Sequence, residues 1–290
     1  MVVVIHISLM TPPSTLVSAL EARETEPSRL RVVRSPTPLP TPVPQSDEAP
    51  LFLRLTEDGQ GLETAIATYQ RPRDDKVIHL VGAVHVGEPD YFQALQMFLD
   101  RTGHVFYERS NDPEDPLTFL QSISGANAML QGLSLYHKKL AERLGLKYQL
   151  DAMSYDRPHF KRVDIARDTA VRKLNSARGL HRIPRQLQLY HVGLVGVVGA
   201  RADVPRQTRA QFAQYLVESH TRGGSSDFID ATFRGYRNKL VQAWLNQWSC
   251  EHQSELGVFY GAGHMRAFDR HITSPRLGYV PVETQWLRAF

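Results

Sequence analysis

Two apolar runs constrain the fold of this chain more than any other feature of its sequence. Residues 77–84 (VIHLVGAV) and residues 256–260 (LGVFY) are almost continuously apolar and rich in β-branched or aromatic side chains. A strand that is buried on both faces has this composition, and such strands are typical of parallel sheets covered by helices. The two runs therefore predict the centre of an α/β sheet.

The segments around these runs alternate between helical and extended patterns. Residues 89–99 (PDYFQALQMFL) have apolar side chains at helical spacing, with a proline suited to the first turn. The short strand predicted at 104–107 follows this helix, so we expect it to be a parallel neighbour of the strand at 77–84. Residues 51–69 predict a hairpin, and residues 277–287 predict a closing strand.

The fold class that follows is α/β, with a mixed, largely parallel central sheet, flanking helices and a helical insertion between residues 116 and 247. Apolar spacing predicts helices at 116–144, 207–218 and 236–248, and a further helix that begins at Met265. One face of the third helix is formed by six apolar side chains: Tyr236, Leu240, Val241, Trp244, Leu245 and Trp248. We expect that face to pack in the core.

The first fifty residues differ from the rest of the sequence. Residues 1–10 (MVVVIHISLM) are apolar but lack the basic segment that usually opens an export signal. Residues 35–44 (SPTPLPTPVP) favour an extended polyproline II spacer. We therefore expect a disordered tail with a proline-rich linker at 1–50 and a folded domain at 51–290. A degenerate export signal, or membrane association through the tail, is the alternative, and it leaves the localisation open between export, the membrane and the cytoplasm.

Polar residues able to carry out chemistry follow three of the predicted strands. His85 and His264 each come three residues after a glycine, and Glu108 follows the strand at 104–107. Ligands of open α/β sheets bind outside the carboxyl ends of the strands, so we expect these three side chains to converge. They suit a divalent metal centre with open positions for water. They equally suit a site without metal, in which one histidine is the general base and Glu108 orients it or acts as the general acid.

Longer motifs extend this pattern: LVGAVHVG at 80–87, FYE at 106–108, YQLDAMSYDRP at 148–158 and VFYGAGH at 258–264. With two GxxH motifs and a glutamate between them, the sequence resembles the TraB/GumN/TIKI family over residues 51–290. The resemblance implies a fold shared with erythromycin esterase-type proteins. It also implies a metal-dependent hydrolase, expected to be a peptidase with a peptide or protein substrate, in a family with many membrane-anchored or exported members.

The resemblance also assigns roles to individual residues. His85 and His264 hold the divalent metal ion under this hypothesis, and Glu108 is the catalytic base or a third ligand. Three further residues are accessory candidates: Arg109, Asp151 and Arg157. The sequence departs from the family at Arg162, which stands where other members usually have a histidine.

Two alternatives to a metal-dependent hydrolase stay open from the sequence. One is a metal-independent, esterase-like hydrolase, and the other is a non-catalytic haem- or iron-binding protein with the same histidines as ligands. A formal net charge of +4 over 290 residues does not indicate a nucleic-acid partner. The single cysteine, Cys250, excludes an intramolecular disulfide and a cysteine-rich zinc site. The oligomeric state is left open.

Overall fold

A computed structural model of the chain describes residues 52–109, 121, 123–175, 208–221, 228–251 and 254–290. The predicted tail and linker at 1–50 lie outside these ranges. The described strands are β1 (Leu53–Leu55), β2 (Leu62–Arg71), β3 (Lys76–Ala83), β4 (Val86–Gly87), β5 (Val105–Tyr107), β6 (Lys147–Tyr148), β7 (Phe160–Arg162), β8 (Glu255–Gly261) and β9 (Val280–Arg288). The described helices are α1 (Pro89–Arg101), α2 (Gly125–Leu144), α3 (Gln149–Ala152), α4 (Arg167–Asn175), α5 (Arg209–Thr221), α6 (Phe228–Trp248) and α7 (Ala262–Ile272).

The central sheet is mixed and largely parallel, which confirms the predicted fold class. Strands β3, β8, β5 and β7 are parallel neighbours in that order. Strand β2 pairs antiparallel with β3, and the predicted closing strand β9 pairs antiparallel with β2. Strand β1 forms the predicted hairpin with the start of β2, and β4 and β6 form a separate small sheet.

The position of β8 corrects one prediction. Strands β3 and β5 are parallel, but they are not neighbours, because β8 pairs with both of them. The five residues from Leu256 to Tyr260 are all buried, and a strand without a solvent-facing side belongs in the middle of the sheet. The order of elements along the chain carries no signal for this insertion, since β8 lies about 150 residues after β5 in sequence.

Three further details differ from the sequence predictions: an additional strand, the start of one helix and the buried face of another. The region expected to be a helical insertion contributes β7 to the edge of the sheet. Helix α7 begins at Ala262 rather than Met265, which places His264 in the first helical turn. Tyr236 is 39% exposed, so the buried face of α6 instead runs through Arg237, Val241, Leu245 and Trp248.

Helix ends follow local capping rules. Helix α1 begins with Pro89 at its first position and carries Asp90 in its first turn. The carboxylate of Asp90 is stabilised there by the positive end of the helix dipole. The side chain of Ser124 caps α2 by accepting a hydrogen bond from the backbone of Asn127. Gly145 ends α2 with a φ of 63°, a left-handed conformation that glycine adopts without strain. No helix in the described ranges has the length and apolar composition to cross a membrane.

The central position of β3 makes its apolar side chains sensitive to truncation. Leu80 is fully buried in the main core. We expect Leu80→Ala to lower the free energy of unfolding by about 2–5 kcal/mol, because the change removes buried surface and leaves a cavity. Leu133→Ala is the matched control, since Leu133 is 38% exposed on α2. Urea denaturation of both variants tests this, and equal losses would contradict the central placement of β3.

Candidate functional site

The carboxyl ends of the four parallel strands carry the polar residues of the candidate site. His85 follows β3, Glu108 follows β5 and Asp164 follows β7, while β8 leads directly into α7 and His264. Parallel strands end at the same edge of a sheet, so elements distant in sequence bring these side chains to one region.

Glu108 is held by contacts to both of its carboxylate oxygens. Oε1 accepts a hydrogen bond from Nη2 of Arg237 at 2.6 Å, and Oε2 accepts one from the backbone N–H of Gly261, also at 2.6 Å. A Cβ atom on Gly261 would lie 3.3 Å from Oε2, so a larger residue there would crowd the carboxylate. Burial raises the pKa of Glu108, but the charge of Arg237, the two histidines nearby and the N–H of Gly261 together outweigh it, so the pKa lies well below its ordinary value.

Arg237 connects Glu108 to a second carboxylate, that of Asp164. Its Nε and Nη2 atoms donate to the two oxygens of Asp164 at 2.8 and 2.6 Å. The Asp164 side chain is 0% exposed and that of Arg237 is 8% exposed. Asp164 also accepts hydrogen bonds from the backbone of Arg109 and of Ile165. One guanidinium therefore bridges two carboxylates that follow neighbouring strands.

The sequence analysis missed Arg237, although a signal for it exists. Arg237 precedes Val241 and Leu245 at spacings of four residues, so it lies on the apolar stripe of α6. A charged residue on such a stripe indicates a buried ion pair, because an unpaired charge in the core is very costly. Asn238, the next residue, was missed for lack of any comparable signal.

His264 is buried and oriented by α6. Its Nδ1 lies 2.6 Å from the side-chain oxygen Oδ1 of Asn238, and its Nε2 lies 3.7 Å from Oε1 of Glu108. Since a carbonyl oxygen only accepts hydrogen bonds, Nδ1 carries the hydrogen and Nε2 keeps a lone pair. Burial lowers the pKa of His264 to about 4, with Glu108 opposing the shift. The imidazole is therefore neutral at pH 7.

His85 lies at the more open side of the site. Its residue is exposed, and its Nδ1 is 3.1 Å from Oε1 of Gln149, whose Nε2 donates to the hydroxyl of Tyr155. The ring of His85 also contacts the ring of His137, with centroids 4.7 Å apart. When charged, His85 contributes to lowering the pKa of Glu108, so it belongs to the same region. Of the three side chains expected to converge, His264 and Glu108 lie close together, with Nε2 and Oε1 3.7 Å apart. Direct contact of His85 with either of them stays a prediction.

The three accessory candidates have different surroundings. Arg109 donates its backbone N–H to Asp164, and its guanidinium lies 5.6 Å from the ring centre of Tyr155. Asp151 forms an exposed ion pair with Lys138, and Arg157 forms a half-exposed one with Asp100. The described contacts join Arg109 to the Glu108 cluster. They do not join Asp151 or Arg157 to it.

The fit of a metal ion follows from the donors that these residues offer. Across the described ranges, no group of three or more histidine, cysteine, aspartate or glutamate side chains is arranged to hold a metal ion. Both oxygens of Glu108 are engaged, one of them by a guanidinium whose charge would oppose a cation beside it. His264 offers one free ring nitrogen. The predicted set of His85, Glu108 and His264 does not fit a three-ligand metal centre in this arrangement.

Comparison with known proteins adds no assignment to this geometry. No protein-family model matches the chain, and no curated protein or solved structure matches it either. The relation to the TraB/GumN/TIKI family therefore stays a prediction from the motifs.

Arg237 offers a direct test of the buried network. We expect Arg237→Met to lower the free energy of unfolding by about 3–5 kcal/mol, because it leaves two buried carboxylates without their cation. Arg172→Met is the control, since Arg172 forms an exposed pair with Asp168 and should contribute less than about 1 kcal/mol. Urea denaturation at pH 7 measures both variants. Similar losses of unfolding free energy in the two variants would contradict a large contribution of the Arg237 contacts to stability.

The neutral state of His264 predicts a pH dependence of stability. An unfolded histidine binds a proton near pH 6.5, whereas folded His264 binds one only near pH 4. As the pH falls from 6.5 to 4, the unfolded state gains a proton first, so stability is lost over this window. Between pH 6.5 and pH 4 we expect the His264→Gln variant to lose less free energy of unfolding than the unsubstituted protein, by on the order of 3 kcal/mol. Urea denaturation at several pH values checks this, and equal pH dependence in both proteins would contradict it.

Proposed function

We propose that this chain is a hydrolase that acts by general-base catalysis, with His264 as the base and Glu108 as its partner. The observation that carries the proposal is the 3.7 Å approach of a neutral imidazole nitrogen, Nε2 of His264, to the carboxylate oxygen Oε1 of Glu108. Both atoms are hydrogen-bond acceptors. A water molecule placed against both can donate one hydrogen to each at about 2.8 Å. The pair thus suits the orientation of a nucleophile.

The pKa values decide which of the two groups takes the proton. That of His264 is about 4, while Arg237 holds that of Glu108 well below its ordinary range. His264 is therefore the stronger base of the pair. Glu108 remains a carboxylate, so it can stabilise the imidazolium that forms when His264 accepts the proton. The hydrogen bond from Nδ1 to Asn238 keeps Nε2 directed at the reacting group.

The start of α7 supplies a further catalytic feature. His264 is the third residue of this helix, and Gly261, at its N-cap, has no side chain to cap the first turn. The first N–H groups of a helix have no partners inside the helix, and they form the positive end of its dipole. Negative charge that develops on a carbonyl oxygen beside His264 is stabilised at such a position. The site therefore suits hydrolysis of an ester or an amide.

The resemblance to the TraB/GumN/TIKI family supports the same reaction class. It suggests an erythromycin esterase-like fold and a peptide or protein as the substrate. Metal-dependent hydrolysis, as that resemblance implies, is the second candidate; the free Nε2 of His264 would give a metal ion one ligand. The haem- or iron-binding alternative stays a prediction, and a Soret band after addition of haem tests it.

Two substitutions test the role of His264. We expect His264→Gln to lower kcat/KM by about 10²–10⁴-fold on an activated ester or on a peptide library, because glutamine cannot accept the proton. His271→Gln is the matched control, since His271 lies on the same helix and also contacts an asparagine of α6, with its Nε2 3.1 Å from Oδ1 of Asn246. Full activity in His264→Gln would rule out the proposed base.

Treatment with a chelator separates the two hydrolase candidates. General-base catalysis without metal predicts unchanged activity after chelation and no stoichiometric metal by elemental analysis. Glu108→Gln should then also lose activity, since the imidazolium loses its partner. Loss of activity on chelation, with recovery on adding a divalent metal, would instead establish the metal-dependent candidate.

A further inference from the structure

A cluster of basic side chains lies beside the candidate site and outside the proposed mechanism. It consists of His220 near the end of α5, Arg234 on α6 and Arg266 on α7, and we call it the basic cluster. Burial, together with the charges of Arg266 and Arg234, lowers the pKa of His220 to about 4. Helices α6 and α7 therefore bring two positive charges to one place, beside an uncharged histidine on α5.

Two members of the basic cluster have buried nitrogen atoms without hydrogen-bond partners. His220 is 8% exposed, and its Nε2 makes no hydrogen bond. Nε of Arg266 is also buried and makes no hydrogen bond. Neither residue forms an ion pair with an acidic side chain in the part of the chain that the structure describes. Buried polar groups are almost always hydrogen-bonded, so both atoms call for a partner, and the N–H of Arg266 requires one that carries acceptors.

The position of Arg234 links the basic cluster to the catalytic pair. Helices α6 and α7 lie side by side, with polar contacts at one-turn intervals: Asn238 with His264, Gln242 with the carbonyl oxygen of Ala267, and Asn246 with His271. Arg234 lies one turn before the first of these contacts. Its guanidinium carbon is 3.9 Å from where a Cβ on Gly263 would be, next to the start of α7. The charge of Glu108 also acts on Arg234.

From this arrangement we propose that the basic cluster is an anion-binding subsite, so that the substrate of the hydrolase carries a carboxylate or phosphate group next to the bond that is cleaved. This inference rests on the proposed function. Arginine binds both kinds of oxyanion through paired N–H donors. Gly263 is exposed, so the start of α7 is open to a ligand at the point where Arg234 lies. The subsite selects acidic substrates over neutral ones.

Anion binding without catalysis tests the subsite directly. Isothermal titration of the full chain carrying His264→Gln, with inorganic phosphate and separately with acetate, measures binding in the absence of turnover. We expect Arg266→Gln and Arg234→Gln, each added to that background, to raise the Kd by roughly ten-fold or more, because each removes a charge-assisted contact. Arg270→Gln is the matched control, since Arg270 is exposed on the same helix. It should leave the Kd unchanged.

The two anions show whether the acidic group of the substrate is a phosphate or a carboxylate. Tighter binding of phosphate assigns a phosphorylated substrate, and tighter binding of acetate assigns a carboxylate. Absence of binding for both anions, or an unchanged Kd in both the Arg234 and the Arg266 variants, overturns the subsite. Circular dichroism of each variant confirms that it is folded, and the two substitutions serve as independent tests.

Kinetics keep the subsite and the proposed function apart. For an acidic ester we expect Arg266→Gln to raise KM with little change in kcat, while the neutral ester of the same length is unaffected. If His264→Gln abolishes hydrolysis but anions do not bind, the subsite fails and the hydrolase stands. If anions bind through the arginines but His264→Gln keeps full activity, the proposed base fails and the anion site stands.

Discussion

Arg237 lies between two carboxylates that end neighbouring strands, Glu108 after β5 and Asp164 after β7. The guanidinium contacts both at 2.6–2.8 Å, and all three side chains are almost completely buried. Charges in such a place are tolerated only when each has a partner of opposite sign, so α6 and the sheet edge must keep their relative positions. Because Asn238 follows Arg237 directly, the same contact also determines where the hydrogen-bond acceptor for His264 lies.

The site separates two ionisable groups by giving them opposite electrostatic surroundings. Glu108 faces a buried cation and a backbone N–H, so it stays ionised. Burial keeps His264 uncharged although Glu108 lies close by, and its Nδ1 contacts the neutral amide of Asn238. An ionised acid beside a neutral base is the arrangement from which acid–base roles can be assigned. Here it results from two consecutive residues of one helix.

Much of the fold and part of the site were predictable from local patterns. The apolar run that became β3 and the helix spacing of α1 identified these elements with nearly correct limits, because burial on both faces or on one face leaves a periodic trace. The strand-end positions of Glu108 and His264 indicated a site. The insertion of β8 between β3 and β5 was not predictable, and neither was the recruitment of the three-residue β7. Pairing between segments far apart in sequence leaves no local periodicity.

The sequence by itself determined the fold class, the main strands and the residues that leave them at the carboxyl edge. Only the tertiary structure decided what those residues meet. Glu108 and Arg237 are 129 positions apart, and Asp164 and Arg237 are 73 positions apart. Burial keeps His264 neutral, and Asn238, 26 positions away, decides which of its ring nitrogens carries the hydrogen. Electrostatic surroundings depend on distance in space, and the order of residues along a chain does not encode that distance until the helices and the sheet have packed.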